Sequence, residues 1–300
     1  MSESKTASIE FEDESKSSTE IIPTEISQNP EEYARKVASD RATEYDKMAG
    51  FSVPRDFVMI PSKGRIYPQS SPLHNVEEIE VRHLTAADED ILTSRALLRS
   101  GKAIDTMLSN VLMNKSINVE ELISGDKNAI LTFLRITGYG PEYPVEIDCP
   151  GCGENIKHEF DLSQLTMRFL DVDPISAGEN RFSFVLPSGV EIHFKLLNSA
   201  EDAKITDEQD KLKRATNSPL EKNVTTKYKH QIISVNGNEE QISINNFVDT
   251  MNLRDSRAFR TFLEELEPDV NMEQEFKCRM CGHTEEVEIP VTTGFFWPES

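Results

Sequence analysis

The sequence predicts an α+β protein made of two related lobes. Each lobe is a hairpin followed by helices, and each ends in a CxxC zinc knuckle. Three observations predict this. Short stretches alternate apolar and polar residues, as half-buried strands do. Helix start and stop signals separate those stretches. The only four cysteines, Cys149, Cys152, Cys278 and Cys281, form two CxxC pairs that each follow the same order of elements.

Length and composition set the frame. A chain of 300 residues suggests about two domains. The charge sum is 32 Lys+Arg against 53 Asp+Glu, or −21, and 37% of residues are hydrophobic. That is too apolar for a wholly disordered chain. Such a charge repels phosphate backbones and anionic lipid at long range, which disfavours nucleic-acid and membrane-surface binding. No apolar run approaches the ~20 residues that span a bilayer. The start, MSESKTASIEFEDES, has no apolar signal-peptide core, so a protein made in a cytosol is expected.

Residues 1–50 form the expected arm. Its first part is rich in Ser, Thr and Glu and offers little to bury, so it is expected to be disordered. Asn29-Pro30-Glu31-Glu32 carries the signals of a helix start. A helix over 30–48 would put Tyr33, Val37 and Tyr45 on one side as partner-binding residues. A solvated tail is the other reading.

The first lobe is assigned to 51–170. FVMIPSKGRIYP (57–68) has apolar flanks around a Ser-Lys-Gly turn. From Val76 to Leu84 the chain alternates through Ile79 and Val81, which predicts a strand. Thr85 then caps a helix, with Asp88 in the capping-box position, running to Gly101 as the stop. Helices are expected near 103–114 and 126–137. An extended run over 142–148 delivers the first knuckle, 149–153.

The second lobe is assigned to 171–300. FSFVLPSGVEIHFKLL (182–197) reads as a hairpin turning at Pro187-Ser188-Gly189. Ser199 is expected to cap a polar helix. Asn236-Gly237 suggests a further hairpin. Helices follow near 245–252 and 255–266, and an extended run delivers the second knuckle, 278–282.

The two halves also align residue by residue. Shifted by 129, Asp126 and Ala129 fall on Asp255 and Ala258, and Thr132-Phe133-Leu134 on Thr261-Phe262-Leu263. Cys149, Cys152 and Gly153 fall on Cys278, Cys281 and Gly282 without a gap. Shifted by 113, Ile79, Val81 and Leu84 fall on Ile192, Phe194 and Leu197. An internal duplication is the favoured reading over chance, with an insertion in the second copy between about 205 and 240.

The duplication explains why two CxxC pairs lie so far apart. CPGCG and CRMCG have the form of zinc knuckles, and two knuckles supply the four thiolates of one tetrahedral Zn²⁺. One structural zinc per chain, held by Cys149, Cys152, Cys278 and Cys281, is therefore expected, with pairing of knuckles between two chains as the other reading. A disulfide framework would not survive a cytosol. A redox CxxC lacks its usual βαβ setting. Four thiolates leave no open position for catalysis. His158 and His283 lie near the knuckles and read as surface histidines rather than ligands.

A zinc-ribbon nucleic-acid factor is a further alternative. Residues 264–288 hold nine acids against Lys277 and Arg279, a sum of −7. A phosphate-binding rim would be basic. No nucleotide, metalloprotease or serine-hydrolase motif occurs in the chain. The six histidines are scattered without ligand spacing. No enzyme and no small-molecule substrate are expected. The aromatic end, Phe295, Phe296 and Trp297, reads in two ways: folded back over the core, or plugging a neighbouring subunit as a partner-binding element.

These motifs together carry a family resemblance. PSKG-x-x-YP (61–68), LTAADEDIL (84–92) and the run 122–153, with its Gly125-to-Arg135 helix, are its specific pieces. With the closing knuckle and FFWP, the chain resembles the baseplate hub and hub-assembly proteins of T-even-type contractile-tailed bacteriophages. The resemblance is weak over 205–240 and does not extend to 1–50. It implies a protein of the virion tail baseplate, assembled in the host cytoplasm and acting through contacts with other tail and hub proteins. Membrane and nucleic acid are not implied as partners. It also implies an alternative role, an assembly chaperone not retained in the virion.

Overall fold

The computed structural model describes residues 53–216, 223–289 and 295–296. The expected arm, with Tyr33, Val37 and Tyr45, lies outside these residues, as does Trp297. The fold is α+β, with five small antiparallel sheets and eight helices among the described residues.

Strands β1 (Arg55–Met59) and β2 (Glu78–Arg82) form the first hairpin, with Val58 opposite Ile79. Helices α1 (Ala86–Thr93), α2 (Arg95–Ser100) and α3 (Ala103–Val111) follow. Ile79 and Val81 share one core with Leu92, Met107, Leu108 and Val111. Burying a side chain of this kind stabilises by about 1.5–3 kcal/mol. The expected single helix up to Gly101 is broken: Ser94 adopts an extended conformation between α1 and α2. The break lets Leu92 stay buried while α2 buries no residue.

At the start of α1, Asp88 closes a capping box with Thr85. It also accepts two hydrogen bonds from the Arg82 guanidinium, at 2.6 and 2.8 Å. Burial alone would raise the Asp88 carboxyl, but the bonds from Arg82 and Thr85 outweigh it and hold the group below its ordinary range.

Helix α4 (Ser124–Tyr139) runs beside this hairpin. Asp126, in its first turn, is fully buried. It accepts the Ser62 N–H at 2.9 Å, the Ser62 hydroxyl at 2.6 Å and the Tyr67 hydroxyl at 2.7 Å. Tyr67 Oη in turn accepts the Ile123 N–H at 3.1 Å. The PSKG–YP turn and the Gly-Asp helix start are thus two sides of one buried contact. Burial raises both the Asp126 carboxyl and the Tyr67 hydroxyl above their usual values.

The second half builds on β6 (Phe182–Val185) and β7 (Glu191–Phe194), with Phe184 opposite Ile192. Helices α5 (Ser199–Thr216) and α6 (Asn223–Gln231) lead to β8 (Ile232–Val235), which pairs with β7. The cap of α5 is Asn198 rather than Ser199: its Oδ1 accepts the Glu201 N–H at 2.9 Å. The hairpin expected at Asn236-Gly237 reduces to one bridge, Val235 to Asn238. Helix α7 (Gln241–Thr250) starts directly after it.

Helix α8 (Leu253–Leu266) closes the half. Phe194 and Phe259 pack edge to face at 5.2 Å, and Phe182 stacks on Phe194 at 5.7 Å. Several contacts of the first half recur here. Asp255, buried in the first turn of α8, accepts the Ser188 N–H at 3.0 Å. Lys195 pairs with Glu201, as Arg82 does with Asp88.

Candidate metal centre

Two hairpins carry the cysteines. Strand β3 (Glu142–Asp148) pairs with β4 (Asn155–Asp161), leaving 149–154 as the turn. Strand β10 (Glu273–Lys277) pairs with β11 (Thr284–Glu288), leaving 278–283 as the turn.

The two turns have one geometry. Cys149 N–H donates to the Glu154 carbonyl at 2.9 Å, and Gly153 N–H to the Cys149 carbonyl at 2.8 Å. In the second turn Cys278 donates to His283 at 2.8 Å, and Gly282 to Cys278 at 3.0 Å. Gly153 and Gly282 sit at φ 73° and 74°. Only glycine adopts this left-handed conformation freely, and it folds the chain back so that both sulfurs of a knuckle face one way.

Other residues bring the knuckles together. Arg135, almost wholly buried at the end of α4, donates to the Gly140 carbonyl at 2.6 Å and the Glu142 carbonyl at 3.0 Å. It therefore clamps the link from α4 into β3. Strand β5 (Thr166–Arg168), which follows the first ribbon, pairs with β9 (Asp269–Asn271), which precedes the second. Gln274 Nε2 donates to the Asp161 carbonyl at 2.6 Å. Phe276 lies under the cysteines, fully buried with Cys149 and Cys278.

The sulfurs then converge. All four ligand atoms lie within 4.8 Å of one another. Cys149 Sγ is 3.7 Å from Cys281 Sγ, and Cys152 Sγ is 3.9 Å from Cys278 Sγ. None forms a disulfide. The sulfurs of a tetrahedral site with Zn–S bonds of ~2.3 Å stand about 3.8 Å apart. The four sulfurs of a single chain thus lie close enough together to hold one metal ion.

With protons alone to neutralise them, the thiols divide unequally. The Cys281 and Met280 N–H groups favour the Cys278 thiolate and bring its pKa down to about 6. At Cys152 the Glu154 N–H also favours the thiolate, but burial and the neighbouring sulfurs outweigh it and push the thiol up to about 12. Four adjacent thiolates repel one another, and a divalent cation between them removes that cost.

Neither nearby histidine joins the donor set. His283 packs on the first knuckle, where a Cβ at Gly151 would meet its ring at 2.8 Å, and its Nε2 faces Glu285 at 3.0 Å. His158 is half-buried rather than fully exposed. Its ring stands edge-on to Phe160 at 4.6 Å and Phe276 at 5.1 Å, wedged between the two ribbons. Burial, then the charge of Arg279, lowers its pKa and favours the neutral ring.

The aromatic terminus is placed only in part. Phe295 and Phe296 are buried, 3% and 4% exposed, and Phe295 packs edge-on to Tyr143 at 5.4 Å. In the isolated chain both rings are covered by its other residues.

The residues that support the cluster were less legible in the sequence than its four cysteines. Phe276 carried a weak signal, a lone apolar residue among polar ones in Glu273–Lys277. Arg135 closed the Gly125-to-Arg135 motif and His158 lay beside the first knuckle, but neither signal announced partners that the tertiary fold sets.

The pattern of one family, described as "T4 bacteriophage base plate protein", matches residues 57–297. The chain belongs to this family. No curated protein and no solved structure matches it. As a family member it is a structural protein of the phage tail baseplate, which implies contacts with other tail proteins and a place in the virion tail. The matched span covers both knuckles and the Ser62–Asp126 contact. No helix among the described residues is long and apolar enough to cross a membrane.

Proposed function

We propose that the chain is a component of the baseplate hub, acting through protein contacts and held rigid by one structural zinc. In this reading it has two related lobes, descended from an internal duplication, over 51–170 and 171–300. The recurrence of the buried Asp–Ser contact in both halves supports the duplication.

The observation that carries the zinc is the size and content of the donor set. Four soft thiolates with edges of 3.7 and 3.9 Å suit Zn²⁺. When bound, zinc would supply four bonds that join the ribbons. It would offer no open position for a substrate, so the site is structural and not catalytic. Cys149, Cys152, Cys278 and Cys281 hold the ion. Phe276 and His158 fill the space beneath it, and Arg135 fixes the approach of the first ribbon.

The solvent faces of the ribbons favour protein partners. Glu146, Asp148, Glu154, Glu273, Glu275, Glu285, Glu286 and Glu288 are exposed around the cluster. A rim of carboxylates repels phosphate and leaves cationic protein surfaces as the complementary partner.

Deleting the gene and imaging tails tests the reading. Baseplates are expected to be absent, and purified virions of the parent phage are expected to contain the chain. Intact baseplates after deletion would overturn the role. Missing baseplates with no chain in purified virions would favour the alternative, an assembly chaperone that is not retained.

A further inference from the structure

The first turns of α4 and α8 offer the same face to different surroundings. On α4 that face is covered. Pro268 and Asp269 cross it so closely that a Cβ at Gly125 would stand 1.8 Å from the Pro268 carbonyl oxygen. Asn128 Nδ2 donates to the Asp269 carboxylate at 3.1 Å. The covering segment runs into strand β9 and brings an acid with it.

On α8 the aligned positions, 129 residues further on, are Arg254 and Arg257. Both are exposed. Neither has a hydrogen-bond or ion-pair partner among the described residues. With Phe184, Pro187, Ala258, Thr261, Phe262 and one acid, Glu265, they line an open groove of about 470 Å³. Its floor is apolar: Phe184 and Phe262 stack at 4.3 Å with an interplanar angle of 18°. Leu253, at the tip of the helix, is 88% exposed.

We propose that this groove docks an extended acidic segment of a neighbouring tail protein. A carboxylate of that segment meets Arg254 and Arg257, and an apolar side chain lies on the Phe184–Phe262 stack. Charge complementarity argues for it. Two guanidiniums one turn apart on a helix repel each other, and a carboxylate between them relieves this through charge-assisted, forked hydrogen bonds. The aligned face of α4 supplies the template, since its occupant is extended and carries Asp269. Arginine beside an aromatic floor is also the composition of binding hot spots. A second copy of the chain is a poor occupant, because each copy carries a net −21 and copies repel. The proposal rests on family membership and on the alignment of the two helices. It does not depend on the zinc or on a hub position.

A photo-crosslinking residue at Thr261, in the full chain expressed during infection, tests it. Mass spectrometry is expected to map the crosslinks to one acidic segment of another tail protein. Combining Arg254→Glu with Arg257→Glu is expected to lower the yield tenfold or more, with metal content and melting temperature unchanged. The milder Arg254→Gln, Arg257→Gln pair is expected to lower it several-fold and keeps the test open if the charge reversal disturbs folding. Crosslinks to a second copy, crosslinks to a segment without acids, no crosslinks, or a yield indifferent to both pairs would each overturn the proposal. Metal content of the unaltered chain reads the zinc proposal separately.

Discussion

Helices α4 and α8 each begin on a buried aspartate, Asp126 or Asp255, that takes the amide of a turn serine, Ser62 or Ser188. From that shared start they diverge. Gly125 lies against the Pro268 backbone, whereas its counterpart Arg254 faces solvent. Asp126 takes three hydrogen bonds from Ser62 and Tyr67. Asp255 takes one from Ser188 and one from its own cap residue, Asn252. Local geometry is therefore common to both halves, and what differs is what lies across it. The first helix start is a packed internal joint, and the second is a surface. At the knuckles the halves become alike again, because both feed one cluster.

That comparison can be broken most severely at the cluster. Structural zinc in small fingers is worth about 10 kcal/mol or more. Cys149→Ser and Cys278→Ser are expected to have the same effect, since each removes one ligand of one ion. Hydrogen exchange should show loss of protection over 142–161 and 273–288, while 182–194, packed against Phe259, stays protected. Unequal losses would mean that the two ribbons do not share an ion.

The helix starts come next. Gly125→Ala forces a methyl group onto the Pro268 carbonyl and is expected to cost about 3 kcal/mol or more in urea unfolding. Arg254→Ala, at the aligned position, is expected to stay within about 0.5 kcal/mol. Asp126→Ala strands three buried donors and should cost about 3 kcal/mol, against about 1 kcal/mol for Asp255→Ala. Similar costs at both sites would contradict the contrast between joint and surface.

The smallest effect depends on pH and sets Asp88 against Asp126. The Asp88 carboxyl is lowered in the fold, so its contribution is present above the unfolded pKa, about 4, and is lost as pH falls through the folded value. Asp88→Asn should cost about 2 kcal/mol at pH 7, and the gap to wild type should close in acid. The Asp126 carboxyl is raised. Its protonation favours the folded state, so its contribution is present below about pH 4 and is lost as pH rises through the folded value. Asp126 therefore does not add to acid unfolding. Stability curves of the two variants against pH check both signs.

Much of this was legible in the sequence where the signal is local. The two CxxC-Gly turns, the α8 region and the hairpin at Pro187-Ser188-Gly189 all follow from spacing and turn chemistry. The failures mark places where distant partners decide. Asn236 and Gly237 do adopt positive φ, as a tight turn requires, but β8 finds its partner in β7 rather than in the residues after the turn. Ser94 breaks a helix between Leu92, which shares a core with the α3 residues, and α2, which buries none. Asp126 stood out in the sequence only as the counterpart of Asp255, and nothing local announced Ser62, 64 residues away, or Tyr67. Gly125 read as a motif residue until Pro268 appeared against it.

Native mass spectrometry of the chain, purified without chelator, tests the central claim most directly. A monomer carrying one zinc ion is expected, with the ion lost when any two of Cys149, Cys152, Cys278 and Cys281 are replaced by serine. A monomer without metal, or zinc found only in dimers, would contradict it.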